Sequence, residues 1–290
     1  MTLPPFDLHR ARTVADASDL LARHREDAAV LCGGTELLLL LKLGFGAFGH
    51  LVDVKAIPEL GGVHAADGEL VIGAAATHRE IERSPDVLER LPALAAMERR
   101  VANIRVRNVG TLGGNLCFSD PHSDPATFLL VLDAEVECVS AAAARRLPLA
   151  EFLVGPYETA LRPGELLGSV RIPVPPPGAA VVHRKLAFHE RPAATVACLV
   201  GVEDGAVTDA RVGVGSVGPR AVRATAAETR LAGAALDDAD AVAEAAVFAA
   251  EAAGVVEDAN GSVEYKENLV RVLVERALRE ALDANAGRTA

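Results

Sequence analysis

The chain has 290 residues, half of them hydrophobic, which is enough to bury a sizeable core in two or three compact units. Tryptophan is absent and aromatics make up only 3%, so the core is aliphatic and stacking surfaces are scarce. Forty acidic against 29 basic residues give a net charge of −11, which excludes the basic footprint that nucleic acid or an anionic membrane demands.

From the N-terminus, Met1-Thr2-Leu3-Pro4-Pro5 lacks the charged start and apolar stretch of a secretory leader. Asp19 to Arg25 is predicted helical, and Ala28 to Cys32 a short buried strand that delivers the loop Cys32-Gly33-Gly34-Thr35-Glu36. Leu37 to Lys42 starts a helix, and its apolar run is far too short to span a membrane. Leu51 to Val54 is a strand stopped near Pro58. Val63 to Ala65 and Glu69 to Ala74 form a hairpin by the turn chemistry of Asp67-Gly68. Thr77 and Glu80 make a capping box, and Pro92 to Ala102 is a further helix. A second glycine loop follows, Thr111-Leu112-Gly113-Gly114-Asn115, then a helix from Pro125 to Leu132 and a strand from Glu135 to Ser140.

Pro173 to Gly178 suits neither strand interior nor helix and marks a linker. Beyond it, Ala180 to Ala187, Ala194 to Glu203 and Ala206 to Val217 are predicted strands, the last two joined at Asp204-Gly205. Thr225 to Glu228 is a second capping box, with Gly233 at a C-cap position. An Ala-rich helix covers Asp240 to Ala253, and a final helix after Asn260-Gly261 carries a stripe of Tyr265, Leu269, Val272, Leu273 and Ala277.

The two glycine loops carry the chemistry. Paired glycines permit positive φ and expose backbone N–H groups, a nest suited to phosphate, and Thr35 and Thr111 add hydroxyls. Two such loops fit two sides of one long ligand, although each alone also fits a plain turn. Gly213 to Gly218 matches G-x-G-x-x-G by letter, but Pro219 follows at once and a strand end is the better reading. Asp120-Pro121-His122-Ser123-Asp124 suits a metal or a polar loop that accepts from ligand hydroxyls, the loop being favoured. The other histidines, at positions 9, 24, 50, 64, 78, 183 and 189, form no ligand-spaced set, so no metal site is expected. Cys32 and Cys117 fit a nucleophile or a small buried hydrophobe, and Arg105 and Arg107 a phosphate contact or a solvated face. Cys32, Cys117, Cys138 and Cys198 are scattered without a metal or disulfide framework, which points to reduced thiols and a cytoplasmic location.

Cys32-Gly33-Gly34-Thr35-Glu36-Leu37 resembles an A-G-G-T-D-L loop, and Arg107 to Asn115 resembles an I-R-N-x-G-T-I-G-G-N loop, of one flavoprotein family. That family comprises the FAD-binding medium subunits of molybdenum hydroxylases, of the xanthine dehydrogenase and aerobic carbon monoxide dehydrogenase type. Ile57-Pro58-Glu59-Leu60, Gly164 to Pro173 and Gly261 to Leu278 extend the likeness over nearly the whole chain. The resemblance implies an α+β fold: a two-subdomain FAD-binding domain of the vanillyl-alcohol-oxidase (PCMH) type, then a domain of three antiparallel strands and three helices. The boundaries would be 1–175, with subdomains of about 1–57 and 58–175, and 179–290.

The resemblance also implies that Val30, Leu31, Cys32, Gly33, Gly34, Thr35, Glu36 and Leu37, with Thr111, Leu112, Gly113, Gly114 and Asn115, hold the FAD diphosphate and nearby ribityl atoms. Asp124 matches a position binding FAD hydroxyls, and Val101, Leu167 and Lys185 match flavin-contacting positions. No catalytic side chain is required, because the flavin supplies the redox chemistry. The implied partners are a molybdopterin-binding large subunit and a small subunit with two [2Fe-2S] clusters, in a dimer of heterotrimers. The carbon monoxide branch carries a flavin-side Tyr that aligns near Pro192-Ala193, and that contact is missing here. A self-standing flavin oxidoreductase and a scaffold with weak FAD binding remain the alternatives.

Overall fold

The computed structural model describes residues 2–188 and 190–289, with side chains to 286. Three sheets set the architecture. The first is a parallel sheet of Asp7–Arg10, His50–Asp53 and Ala28–Leu31, in that spatial order. Helix Val14–His24 crosses between its outer strands and starts earlier than predicted, because Thr13 caps it by accepting from the Asp16 amide. Asp7–Arg10 is mostly exposed, so its polar sequence hides a strand from any reading by apolar alternation. The leucine run becomes helix Leu37–Leu43, closed by Gly44 at φ +75°.

The second sheet has five antiparallel strands in the order Val63–Ala66, Glu69–Gly73, Leu166–Pro173, Glu135–Val139 and Ala144–Pro148. The Asp67-Gly68 turn takes positive φ at both residues, as a tight hairpin requires. Short helices cover this sheet, among them His78–Arg83, whose Thr77–Glu80 capping box is complete. The Pro92 helix ends at Glu98 instead of Ala102: the Arg100 and Val101 amides turn to the nearer Met97 and Glu98 carbonyls, and Ala102 then takes φ +39°.

The third sheet is antiparallel: Ala180–Ala187, Pro192–Glu203, Ala206–Gly215 and the two-residue strand Val222–Arg223. Helices Thr225–Leu231, Ala239–Ala252 and Val263–Thr289 pack on it through an alanine- and valine-rich core. One expectation fails here and another holds in part. Thr225 is already helical and caps nothing; Glu228 instead accepts from the Val212 amide at 2.9 Å and pairs with Arg223. The predicted stripe of the last helix is buried at Leu273 and Ala277, with Leu269 packed against the core; the buried face also takes in Val270, Val274 and Leu278, while Tyr265 is exposed. Fully buried Lys266 joins that face because its Nζ reaches Val256 O at 3.0 Å and Asp258 Oδ1 at 2.6 Å.

Gly213, Gly215 and Gly218 are packing glycines. A Cβ on Gly215 would meet Thr127 Oγ1 at 2.0 Å, and one on Gly218 would meet Ala253 O at 2.2 Å. Gly213 and Gly215 let helix Asp124–Leu130 of the central unit lie directly on the third sheet, where Thr127 and Thr195 hydroxyls meet at 2.9 Å. That docking fixes Asp124, the first residue of the helix, between the units. No helix of the described residues is long and apolar enough to cross a membrane.

Candidate functional site

A cleft of about 320 Å³ opens between the parallel sheet and the central unit, within the size range of small-molecule and cofactor sites. Its first wall is the loop after strand Ala28–Leu31. Gly34 takes φ +71°, and the amides of Gly34, Thr35 and Glu36 have no acceptor among the described residues. Gly33 has ordinary φ; it is glycine because a Cβ would meet Val109 O at 2.4 Å and Gly110 Cα at 2.8 Å. The first loop is thus pressed onto the segment that leads into the second.

The second loop departs from the predicted nest. Thr111 caps helix Leu112–Phe118, and neither Gly113 nor Gly114 has positive φ. Its amides are engaged: Leu112 with Ala76 O, Gly113 with Ala74 O, Gly114 with Thr111 Oγ1 and Asn115 with Thr111 O. Gly113 is required by approach, since a Cβ would lie 2.5 Å from that of Ala74. One loop therefore offers free amides, and the other offers a flat wall at which a ligand can lie close to the backbone.

Val30, Cys32, Gly33, Gly34, Thr35, Glu36, Leu37, Val101, Thr111, Gly113, Gly114, Asn115, Asp124 and Leu167 all line the cleft. Leu31 and Leu112 point into the core instead, 8% and 0% exposed. Lys185 does not line it; its Nζ binds Asp124 Oδ2 and Arg100 O, each at 2.6 Å. Asp124 is 4% exposed, and its Oδ1 has no hydrogen-bond partner although His183 Nε2 stands 3.5 Å away. Burial raises its carboxyl above the ordinary range, against the pull of Lys185.

Other lining residues were invisible to motif reasoning. Arg191 spans the cleft mouth, 2.9 Å from both Glu36 Oε2 and Asp120 Oδ2. His78 Nδ1 lies 2.6 Å from Oε2 of the fully buried Glu98, whose Oε1 has no partner. The only sequence signal for that pair was a His following a capping Thr. Asp120 accepts from the His122 amide at 2.9 Å, making the loop self-supporting, and Ser123 caps the helix that begins at Asp124. Burial pushes the Cys32 thiol up and that of Cys117 to about 12, so both stay protonated and poorly nucleophilic. Arg107 donates to Val101 O at 3.0 Å and pairs with Glu82, whereas Arg105 is exposed. His189 lies outside the described residues.

Residues 4–175 match the family described as the FAD binding domain in molybdopterin dehydrogenase, and residues 186–281 the CO dehydrogenase flavoprotein C-terminal domain. The chain belongs to the FAD-binding medium subunits of the molybdenum hydroxylases. It is 32% identical to the carbon monoxide dehydrogenase medium chain of Hydrogenophaga pseudoflava, covering 97% of this chain and 98% of that one. It is 31% identical to the nicotine 6-hydroxylase medium subunit of Paenarthrobacter nicotinovorans, covering 97% and 99%. The structure of the Hydrogenophaga pseudoflava carbon monoxide dehydrogenase matches with a TM-score of 0.95 at 33% identity, over 98% of this chain and 99% of that one.

The residues present fit the family's flavin. Three unengaged amides at a positive-φ glycine suit a diphosphate, and the orphaned buried oxygen of Asp124 suits a hydroxyl donor. At the position of the carbon monoxide branch's Tyr, Pro192 lines the cleft and Ala193 is buried. Acid sensitivity follows from His183, which burial, with Arg100 and Lys185, lowers from 6.5 to about 3. The unfolded chain binds that proton first, so stability falls as pH drops from about 6.5 towards 3. His183→Leu should therefore show a shallower loss of melting temperature between about pH 7 and pH 5 than the native protein.

Proposed function

We propose that this chain is the electron-transfer subunit of a molybdenum-containing hydroxylase or dehydrogenase complex. Electrons from a molybdopterin-binding large subunit would reach it through a small subunit with two [2Fe-2S] clusters and leave it for an external acceptor. Bound FAD supplies the redox chemistry. The residues of the chain bind and orient it. Gly34, Thr35 and Glu36 amides donate to the diphosphate, and the carboxylate of Asp124 accepts from a hydroxyl. Lys185 holds that carboxylate in place, and the Gly113 wall admits the ligand to the backbone. Glu36, Arg191 and Asp120 tie the mouth across the two walls.

The observation that carries this reading is the pairing of one amide-donating loop with one closely packed glycine wall in a single cleft, beside a buried carboxylate with a free oxygen. We assign residues 1–175 to the flavin domain and 179–290 to the C-terminal domain, with the whole complex a cytoplasmic dimer of heterotrimers. Four free thiols support a reducing location.

Purification of the chain alone and together with its large and small partners tests the proposal. The chain alone should carry FAD yet turn over no substrate, and the co-purified complex should reduce an acceptor. Turnover by the chain alone would make it a self-standing oxidoreductase. Assembly of a colourless chain that takes up no added FAD would make it a scaffold.

A further inference from the structure

Three histidines dispersed in sequence converge on one side of the parallel sheet, away from the cleft. His9 Nε2 and His50 Nδ1 are 3.0 Å apart, and one ligand nitrogen from each of His9, His24 and His50 lies within 4.8 Å of the others. The His24 ring centroid stands 3.7 Å from that of His50 and 5.5 Å from that of His9. Topology produces this cluster. The parallel register pairs Asp7 with His50, and His9 follows two residues after Asp7, so all three side chains share one face. Helix Val14–His24 packs beside that sheet and ends with His24 in its last turn. The linear spacing could not show it, because no two of the three share an element.

Imidazoles rarely gather without a reason, and hydrogen bonding supplies little here. His9 and His50 share one contact, while the His24 ring has no hydrogen-bond partner among the described residues. All three are only partly buried, so their rings can rotate. In a tetrahedral site with metal–nitrogen bonds of about 2.0–2.1 Å, donor nitrogens stand roughly 3.3 Å apart. The His9–His50 pair, at 3.0 Å, is already close to that spacing, and His24, whose ligand nitrogen lies within 4.8 Å of both, would close by side-chain rotation. Asp7 Oδ2, 3.8 Å from His50 Nδ1, is in position to complete the set.

We propose that His9, His24 and His50 form a binding site for a zinc-class divalent ion, with Asp7 or water as the fourth donor. Three imidazoles favour zinc, nickel or copper over magnesium or calcium, which need oxygen ligands. The role is structural. None of the three residues lines the cleft, but the chain runs from His24 through the Arg25–Asp27 turn into strand Ala28–Leu31 and the first glycine loop. An ion here clips the helix end to the sheet beneath that loop.

The test uses the metal-depleted, flavin-loaded full chain, probed with zinc, cobalt and magnesium. Zinc should bind at one equivalent per chain and raise the melting temperature, magnesium should do neither, and cobalt should give the intense visible bands of a four-coordinate site. His24→Gln, and separately His9→Gln with His50→Gln, should weaken zinc at least about 100-fold and abolish the cobalt bands. Flavin content should not change, which also reports that each variant is folded. One-equivalent binding that survives both variants, or zinc binding no tighter than magnesium, would overturn the site.

Discussion

Alanine at Gly33 should give a folded chain that releases its flavin during purification. The new Cβ would meet Val109 O at 2.4 Å, Gly110 Cα at 2.8 Å and Val109 C at 3.1 Å. All three are backbone atoms, so no side-chain rotation relieves the clash and the two segments must separate. Overpacking of this kind costs about 1–3 kcal/mol. The separation moves the loop that carries the amides of Gly34, Thr35 and Glu36, so most of the cost should appear in binding. A cost of about 2 kcal/mol expressed in affinity is a loss of roughly 30-fold. The measurement is the FAD-to-protein ratio after gel filtration, followed by FAD titration of the stripped protein. Gly46→Ala is the control, since its Cβ meets only Phe48 at 3.6 Å and its φ is not positive. Full flavin retention by Gly33→Ala would show that the close approach of the two segments does not hold the loop.

That prediction rests on a point the sequence conveys only in part. Glycine pairs at 33–34 and 113–114 mark two walls of one cleft, and their residue types suffice for that. The physical reason is different at three of the four positions. Gly34 alone takes positive φ, while Gly33 and Gly113 are glycine because another backbone or Cβ lies against them, and Gly114 sits inside a helix. Linear sequence records which residues bend but not which are approached from outside. The hairpin at Asp67-Gly68 and the Thr77 cap were legible because their partners lie within three or four residues. The second capping box failed because Glu228 is taken by the Val212 amide on the neighbouring strand and by Arg223. Arg191 and the histidine trio share that cause: their significance arises from segments brought together by the sheets. The outer strand Asp7–Arg10 escaped for the opposite reason, since an exposed edge needs no apolar pattern.

The second large effect concerns Asp124 and Lys185, whose side chains are 4% and 9% exposed and meet at 2.6 Å. Asp124→Ala leaves the buried Lys185 ammonium with only the Arg100 carbonyl. Breaking a buried pair from one side costs about 3–5 kcal/mol. At roughly 2–4 °C per kcal/mol, the melting temperature should fall by about 10 °C. Lys185→Met should cost less, because the orphaned carboxyl can neutralise itself. Burial already raises the Asp124 carboxyl, and loss of Lys185 removes the main pull in the other direction. With its folded value above the unfolded one, stability is retained at low pH and lost as pH rises through the folded value. The Lys185→Met defect should therefore shrink as pH falls, whereas Asp124→Ala should show no such recovery. The double variant should be more stable than the sum of the single losses predicts, since neither charge is left alone. Asp124→Asn separates the two duties of the side chain: its amide oxygen still accepts from Lys185 or from a flavin hydroxyl, so it should keep more stability and more FAD than Asp124→Ala. If the two single variants instead add without coupling and ignore pH, Asp124 is not held by Lys185, and its free oxygen needs another explanation.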